Sequence, residues 1–394
     1  MKRRKQTGAL VALAVVGTLF VPGSAKAAET FTIEVGQGFF EEGLPGFSAR
    51  MYPGHIKVHS GDTIVFNNNG AALFAESTYP QEWFGDNFTQ FGDPFFFLLR
   101  DPDDGERALK FNEASFATAE CGAADNPCVW TGKEDEFFLP TAGEDGLVHV
   151  RVEAAQGETL WAASSPGTDI GGNLRVDVVG PQETASTQEE LDARAAELKA
   201  KDREDAFALH SRMNSKRTSH VTASGQKVYD VFVGATGGPI SIFAMYPKRI
   251  RVPLGARVQY HFMEEVEPHT ATFGGPKARD LARNGFVPVC DPDGDEGTSP
   301  DLPASFSETE PPCADMSQFE VDVDERIVYE TGNRRVTGNR DLENSGLKVP
   351  VFPDEQTFDA NPWTVKMADR SSDKGFFYFC LVHGPSMGGR VVVK

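Results

Sequence analysis

The chain contains one sequence pattern twice, and this repeat limits the folds that it can adopt. Residues 50–66 have the sequence RMYPGHIKVHSGDTIVF, and residues 244–262 have the sequence AMYPKRIRVPLGARVQYHF. Each copy has Met-Tyr-Pro, an alternating segment, a glycine turn and a second alternating segment that ends in Phe. A period of about 200 residues indicates duplication of a whole domain rather than a solenoid of small repeats.

Both copies are rich in short segments in which apolar and polar residues alternate, the pattern of a half-buried β-strand. The 39 glycines and 25 prolines supply the turns between them. The sequence therefore predicts an all-β fold of two tandem Greek-key β-sandwiches or barrels. The predicted strands include Ile56–Val58, Thr63–Phe66, Val148–Val152, Leu174–Val178, Tyr229–Val233, Ile250–Val252, Val258–Phe262, Phe377–Phe379 and Val391–Val393.

The segment between the two copies has a different, helical pattern. A Ser/Thr followed three residues later by Glu forms a capping box, and Leu191, Ala195 and Leu198 lie on one face. We predict a helix from Thr187 to about His210, a charged spacer that lies against one or both domains. The predicted organisation is a signal peptide (1–27), a first domain (28–181), a helical charged linker (182–225) and a second domain (226–394).

The N-terminus has the three parts of a secretory signal peptide. Four basic residues at 2–5 precede an apolar run from Ala9 to Val21, and Ala25-Lys26-Ala27 supplies small residues for cleavage. That run is too short for a comfortable membrane span, and no second long apolar stretch follows. We expect an exported protein that is periplasmic, in the cell envelope or extracellular, and not transmembrane after signal removal.

The net charge of the chain is −20, and loss of residues 1–27 would bring it near −25. An acidic surface repels nucleic acid and attracts cations and basic proteins. We therefore expect no nucleic-acid partner, whereas a basic protein partner is compatible with the charge. Simple solubility or adaptation to salt explains the same charge equally well.

The five cysteines divide into two close pairs and one single residue. Cys121 and Cys128 frame the short loop CGAADNPC, and Cys290 and Cys313 frame a longer loop rich in Pro and Asp. Export permits disulfides, so two local bridges are predicted. Cys380 is then a lone thiol, which in an exported protein is a liability unless it has a function.

The tail FFYFCLVHGPSMGGRVVVK places Cys380, His383 and Met387 within eight positions, between two predicted strands. One tight loop can thus offer three donors to one ion. The fourth donor is expected from the second copy, and His269, just past a strand end, is preferred over His261 within that strand. Two imidazoles, a thiolate and a weak thioether describe one type 1 (blue) copper centre. A thioether is a poor zinc ligand.

These segments resemble the cupredoxins of the plastocyanin and amicyanin kind. EPHTATF is similar to their Pro-His-Asn-Val-x-Phe segment, and YFCLVHGPSMGGRVVV to their Tyr-x-Cys-x2-His-x(2–4)-Met-x-Gly-x-Val-x-Val ending, both within residues 226–394. The resemblance implies two cupredoxin-like domains, with His269, Cys380 and His383 as equatorial copper ligands and Met387 as the axial ligand. Thr270 replaces the usual Asn and is expected to hydrogen-bond towards the ligand loop.

The first copy aligns with the same ending but lacks the ligands. Ala163, Pro166 and Ile170 take the places of Cys380, His383 and Met387, and Leu73 or a neighbour takes the place of His269. The first domain is therefore expected to be copper-free, with an apolar plug at the equivalent position.

The function predicted from these features is single-electron transfer to or from a redox protein, such as a cytochrome, an oxidase or a reductase. The resemblance implies that His383 presents its ring edge at the surface, within an apolar rim of Leu381, Val382 and Pro385. Copper storage, delivery or sensing uses the same ligands and remains an alternative. A copper oxidoreductase is disfavoured because eight histidines without a His-x-His pair cannot build a three-copper cluster. Calcium binding by the loop Asp291–Glu296 remains open.

Overall fold

The computed structural model describes residues 27–40, 43–68, 73–77, 97–98, 108–110, 118–119, 121–132, 137–140, 143, 145–165, 172–264, 267–290, 302–303, 319–338, 340–348 and 361–394. Four predictions lie wholly or largely outside these residues. They concern the signal peptide (1–27), the Cys290–Cys313 disulfide, the apolar plug of the first copy and the acidic loop 291–296.

Alternating segments of both copies form strands, and the strands fall into two halves separated by one long helix. The first half contains β1 (Thr30–Gly38), β2 (Gly46–Tyr52), β3 (His55–His59), β4 (Thr63–Asn68), β5 (Leu73–Ser77), β6 (Phe97–Leu98), β7 (Ala108–Lys110), β8 (Thr118–Ala119), β9 (Cys128–Trp130), β10 (Phe137–Pro140), β11 (Val148–Val152), β12 (Thr159–Ser165) and β13 (Asn173–Val179).

The second half repeats this series and adds two short helices. Its strands are β14 (Ser219–Val221), β15 (Lys227–Gly237), β16 (Ile240–Tyr246), β17 (Arg249–Val252), β18 (Arg257–Phe262), β19 (Thr272–Phe273), β20 (Phe286–Cys290), β21 (Leu302–Pro303), β22 (Phe319–Val323), β23 (Arg335–Val336), β24 (Glu343–Asn344), β25 (Trp363–Met367), β26 (Phe376–Cys380) and β27 (Gly384–Val393). The helices among the described residues are α1 (Gln188–Asn214), α2 (Pro276–Asn284) and α3 (Glu325–Val328).

The two halves have the same strand pairing. β1 runs antiparallel to β2 and parallel to β4, as β15 does to β16 and β18. The second sheet of the first half contains the order β3-β13-β12-β5. The second sheet of the second half contains the corresponding order β17-β27-β26-β19. The predicted fold class is therefore confirmed in its architecture: the chain is mostly β, with two tandem β-sandwiches of matching strand order joined by a helical linker.

Each sandwich encloses an apolar core supplied by the inward residues of both of its sheets. In the first half the core includes Ile33, Phe66, Trp130, Leu160 and Val176. In the second half it includes Val231, Tyr260, Trp363, Tyr378 and Val391, together with Cys380 and Met387. Period-2 alternation puts one face of each strand into this core, and the strand predictions succeeded for that reason.

The two halves share strand pairing in two places, which the sequence did not predict. In a small sheet, β7 of the first half pairs antiparallel with β22 of the second half. A larger sheet, the shared sheet, also passes through both halves. Its order is β23-β25-β18-β15-β16-β2-β1-β4-β11-β9, so corresponding strands occur in the same order from either end. At its centre β16 pairs antiparallel with β2, with Ser241 opposite Phe47 and Ile242 opposite Gly46. A Cβ on Gly46 would lie 2.3 Å from the carbonyl oxygen of Ser241, so this close approach requires glycine.

The helix α1 begins with the predicted capping box and covers this junction. The Thr187 side chain accepts from the backbone N–H of Glu190, whose carboxylate accepts from Thr187 N–H. The helix ends at Asn214, beyond the expected His210, and packs on residues of both halves. The buried cluster beneath it consists of Phe39, Leu44, Ala206, Leu209, Met213, Ala235, Ile240, Ile242 and Tyr246.

A buried carboxylate fixes α1 to the first half. Asp202 is fully buried and accepts hydrogen bonds from Ser48 Oγ at 2.8 Å, Tyr52 Oη at 2.7 Å and Arg50 Nε at 2.9 Å. All three donors come from β2, the strand at the junction. The linker is thus a packed element of the fold and not a solvated spacer along its whole length.

The structure contains a Cys121–Cys128 disulfide, one of the two predicted bridges. This bridge closes a loop directly before β9, at the edge of the shared sheet. Of the helices that the structure describes, none combines the length and the apolar character needed to cross a membrane.

Candidate metal centre

The C-terminal hairpin places three of the predicted ligands. Cys380 is the last residue of β26, and the ladder with β27 changes register between Phe379 and Cys380. The chain then turns through His383 and returns along β27 with Met387. His269 reaches the same point because β19, three residues further on, pairs with β26.

The donor atoms of three side chains converge. His269 Nδ1 and His383 Nδ1 lie 3.1 Å apart, and Cys380 Sγ lies 3.8 Å from the first and 3.5 Å from the second. Imidazole and thiolate bond lengths of about 2.0 and 2.3 Å in a trigonal plane give separations of about 3.5 Å (N–N) and 3.7 Å (N–S). A single metal ion therefore fits between these atoms with small adjustments.

His269, Cys380 and His383 form the one cluster of at least three His, Cys, Asp or Glu donors found among the described residues. Met387 is buried in the same core as Cys380, which is the setting expected for an axial ligand. The other candidate, His261, is elsewhere: its Nε2 lies 2.9 Å from Asp230 Oδ1, and its ring stacks on Phe232. The role of the four preferred residues as metal ligands stays a prediction.

The surroundings of Cys380 favour ionisation of its thiol. Burial opposes ionisation, but hydrogen bonds and charge from His269 and His383 outweigh it and hold the pKa of the thiol well below its usual range. The backbone N–H of Thr270 also points at Sγ, at 3.4 Å. A thiolate is the form that binds metal, so the site favours the ligand state that copper requires.

Thr270 also ties the two ligand segments together, as the sequence suggested. Its Oγ1 accepts a 2.8 Å hydrogen bond from the backbone N–H of Leu381 and lies 2.9 Å from Thr272 Oγ1. Both contacts are buried. The hydroxyl therefore provides the link that the amide of Asn was expected to provide.

His383 is less open to solvent than expected. Its Nε2 lies 2.7 Å from Glu267 Oε2, one face of its ring stacks on Phe243 at 4.3 Å, and the side chain is 15% exposed. Burial disfavours the imidazolium, but Cys380 and Glu267 outweigh it and raise the pKa of His383 to about 10. The expectation of a bare ring edge at the surface is wrong, because a carboxylate occupies that edge.

His269 is fully buried and has a second carboxylate beside it. Its Nε2 lies 3.5 Å from Glu264 Oε2, and neither side chain is exposed. Burial disfavours protonation of this imidazole, yet Cys380 and Glu264 raise its pKa. Burial likewise disfavours ionisation of Glu264, yet His269 and Ser241 lower the pKa of its carboxyl group.

The expected apolar rim is only partly present. Val382 is 37% exposed and Pro385 is exposed, whereas Leu381 is buried in a satellite core with Phe379 and Ala278. Leu381 is therefore not part of a docking surface, since it follows β26 on the side opposite Cys380 and packs there with Phe379.

Sequence reasoning missed Phe243, Glu264 and Glu267 as neighbours of the site. The signal for the two carboxylates was the acidic segment MEEVEP directly before His269, which resembles ordinary surface charge. In the first half, β12 occupies the place of β26, with Ala163 paired to Asn173. The side chains of Leu73, Ala163, Pro166 and Ile170 lie outside the described residues.

The chain matches no protein-family model, and no curated protein matches it. Among solved structures, it is similar to a mutant plastocyanin of fern at 17% identity, over 42% of this chain and 99% of that one, with a TM-score of 0.19. It is also similar to the multicopper oxidase mgLAC at 13% identity, over 85% of this chain and 92% of that one, with a TM-score of 0.17.

A third similar structure is the Cu-containing nitrite reductase NirK from Thermus scotoductus SA-01. The identity is 13%, the match covers 93% of this chain and 68% of that one, and the TM-score is 0.20. TM-scores this low carry no argument about fold or function. The candidate metal centre therefore depends on its own geometry.

Proposed function

We propose that the protein is an exported blue copper protein that transfers single electrons to or from a redox partner. The observation that supports this best is the convergence of His269 Nδ1, His383 Nδ1 and Cys380 Sγ within 3.8 Å in a buried setting. A copper ion held by these donors, with Met387 as the axial ligand, would supply a one-electron couple.

The surroundings suit electron transfer. Strands β26 and β27 fix the ligand hairpin, and Thr270 joins it to the His269 segment through buried hydrogen bonds. Ligands that are fixed in this way move little between oxidation states, which keeps the cost of reorganisation low.

The decisive test is addition of Cu(II) to the purified chain without residues 1–27. We expect an intense blue thiolate-to-copper absorption that Cys380→Ser abolishes. His261→Ala is a matched control that removes the alternative histidine and is expected to leave the colour unchanged. A protein that stays colourless, or one in which His261→Ala but not His269→Ala removes the colour, contradicts the proposed site.

Storage, delivery or sensing of copper would use the same ligands. A reversible couple with fast self-exchange supports electron transfer. Ready release of Cu(I) to a soluble chelator, without a reversible couple, would instead support delivery.

The partner belongs to the same proposal. The net charge of −20 favours a basic redox protein, and electrostatic steering makes association slower as ionic strength rises. Stopped-flow reduction by a basic cytochrome, measured from low to high salt, tests this, and a rate that does not change with salt would contradict steering. The signal-peptide pattern at 1–27 and the Cys121–Cys128 disulfide support export, which N-terminal sequencing of the secreted protein would test.

A further inference from the structure

We infer that Glu264 and Glu267 are a pair of positioning residues that orient the two ligand imidazoles and stabilise Cu(II) relative to Cu(I). The inference rests on the proposed copper function and adds to it the residues that set the reduction potential.

The contact of Glu267 is the more direct one. Its Oε2 lies 2.7 Å from His383 Nε2, the ring nitrogen that faces away from the donor cluster. A carboxylate accepts a hydrogen bond but cannot donate one, so this contact places the ring proton on Nε2. Without metal, Nδ1 lies 3.5 Å from Cys380 Sγ. With copper bound, Nδ1 would give up its proton and direct its lone pair at the ion, while the Nε2 proton stays on the carboxylate side.

Glu264 faces the corresponding nitrogen of the other imidazole, at ion-pair distance and without a hydrogen bond, so His269 Nε2 is a buried donor atom with this carboxylate as its nearest acceptor. Its Oε2 lies 3.5 Å from His269 Nε2, again the nitrogen opposite the donor cluster. Two hydroxyl groups hold the carboxylate in place, Ser241 Oγ at 2.7 Å and Thr236 Oγ1 at 3.0 Å, both bonded to Oε1. Oε2 is therefore the oxygen that faces His269.

The positions of the two glutamates are coupled. The backbone N–H of Glu267 donates to Glu264 Oε2 at 2.5 Å, so the position of one glutamate depends on the other. Gly234 leaves room for Glu264 and His269, because a Cβ there would lie 2.4 Å from Glu264 Cβ and 2.9 Å from His269 Nε2. The structure thus gives each ligand imidazole its own carboxylate from residues 264–267.

A carboxylate on the distal nitrogen makes an imidazole a stronger donor and fixes its orientation, as is general for histidine ligands of metals. The added negative charge stabilises the more highly charged Cu(II) form over Cu(I). Glu264 is fully buried, whereas the Glu267 side chain is 28% exposed and screened by water. The effect of Glu264 on the potential should therefore be at least as large as that of Glu267, despite its longer contact.

A purely structural role is the competing explanation for Glu264. The same carboxylate joins β15, β16 and the backbone of Glu267, so its removal would also loosen the fold. Such a role predicts a loss of stability in the apoprotein but no systematic shift of the reduction potential.

The test compares Glu264→Gln and Glu267→Gln with Glu343→Gln. Glu343 is a matched control because it is buried in β24, next to β19, and accepts from the backbone N–H groups of Asn333 and Arg334 rather than from a histidine. The measurements are the midpoint potential, the Cu(II) and Cu(I) affinities, and the imidazole ¹⁵N shifts of the diamagnetic Cu(I) form. Urea unfolding of each apoprotein reports stability separately.

We expect each of the two site variants to lose about 10- to 100-fold in Cu(II) affinity and less in Cu(I) affinity. Each tenfold difference corresponds to about 59 mV, and the potential should rise. The ¹⁵N shifts should show an altered Nε2–H of His383 in Glu267→Gln, with no such change in Glu343→Gln.

Unchanged potentials in both site variants would overturn the inference, even if the proteins remain blue. An equal shift in Glu343→Gln would overturn it too, because loss of any buried charge would then suffice. Absence of blue copper in the unmodified protein would instead contradict the proposed function, so the two failures can be told apart.

Discussion

Gly234 shows how one residue in a strand shapes the metal centre. It lies at a bulge of β15, where the pairing with β16 changes register between Val233 and Ala235, and its φ is +67°. The left-handed conformation turns the backbone so that His269 and Glu264 can approach it closely. The first half has a bulge at the corresponding place, at Gly36, although it lacks the predicted ligands.

Gly234→Ala is expected to destabilise the apoprotein and to weaken copper binding. Any L-residue at this φ costs about 1 to 2 kcal/mol, and the clash with Glu264 adds about 1 to 3 kcal/mol. Urea unfolding and copper titration measure the two effects. Gly255→Ala is the control, since its φ is +82° but a Cβ there meets no atom within 4 Å. Equal losses in the two variants would show that the Glu264–His269 pair does not constrain this position.

The helix α1 packs across the junction and contacts both halves. Its apolar face contacts the cluster of residues beneath it, and Asp202 binds three side chains of β2 from within that face. A buried carboxylate is tolerated here because the Arg50 guanidinium and two hydroxyl groups satisfy it.

Asp202→Ala is expected to lower the free energy of unfolding by about 3 to 5 kcal/mol, because Arg50, Ser48 and Tyr52 lose their shared acceptor. Chemical denaturation followed by circular dichroism measures this loss. Asp205→Ala on the same helix is the control, since the Asp205 side chain is 47% exposed and pairs with the exposed Lys201 on the surface. The same small change in both variants would mean that Asp202 contributes little to the attachment of α1.

The elements show what a sequence of this kind can and cannot predict. Alternation, turns and a capping box are local signals, so the strands and α1 were predicted close to their observed positions. Cys380, His383 and Met387 were found because they lie within eight residues. His269 is 111 positions before Cys380, and only its loop setting indicated it.

The neighbours of the metal centre depended on contacts that no local pattern encodes. Phe243 stacks on His383 because β16 lies at the junction, and Glu264 binds Ser241 for the same reason. In a chain with a net charge of −20, the glutamates before His269 could not be told from surface carboxylates. The shared sheet could not be predicted from the sequence either, because the strand pattern of each half is equally compatible with a separate sandwich.

The junction of the two halves brings the first half close to the metal centre. Phe47 of β2 packs on Phe243 at 5.6 Å, and Phe243 covers one face of His383. The first half, which lacks the predicted ligands, therefore supports Phe243, the ring that covers His383 in the candidate site.

Gly46→Val is expected to open the β2–β16 pairing, because any Cβ at Gly46 would overlap the Ser241 carbonyl. We expect a larger radius of gyration by small-angle X-ray scattering and faster proteolysis near the linker. Gly54→Val is the control, because a Cβ there lies 3.4 Å from its nearest neighbour, Asn173 O. A compact, protease-resistant Gly46→Val protein would show that the β2–β16 pairing is not needed to hold the halves together, and that α1 and the β7–β22 pairing suffice.

The order of strands in the shared sheet also bears on how the chain could have arisen. Two identical single-sandwich chains that paired along the β2 edge would form a two-fold symmetric dimer with this same junction. Gene duplication and fusion would then preserve an existing contact rather than require a new one. After fusion, one copy could lose its ligands without penalty, whereas both copies would have to keep the edge that joins them.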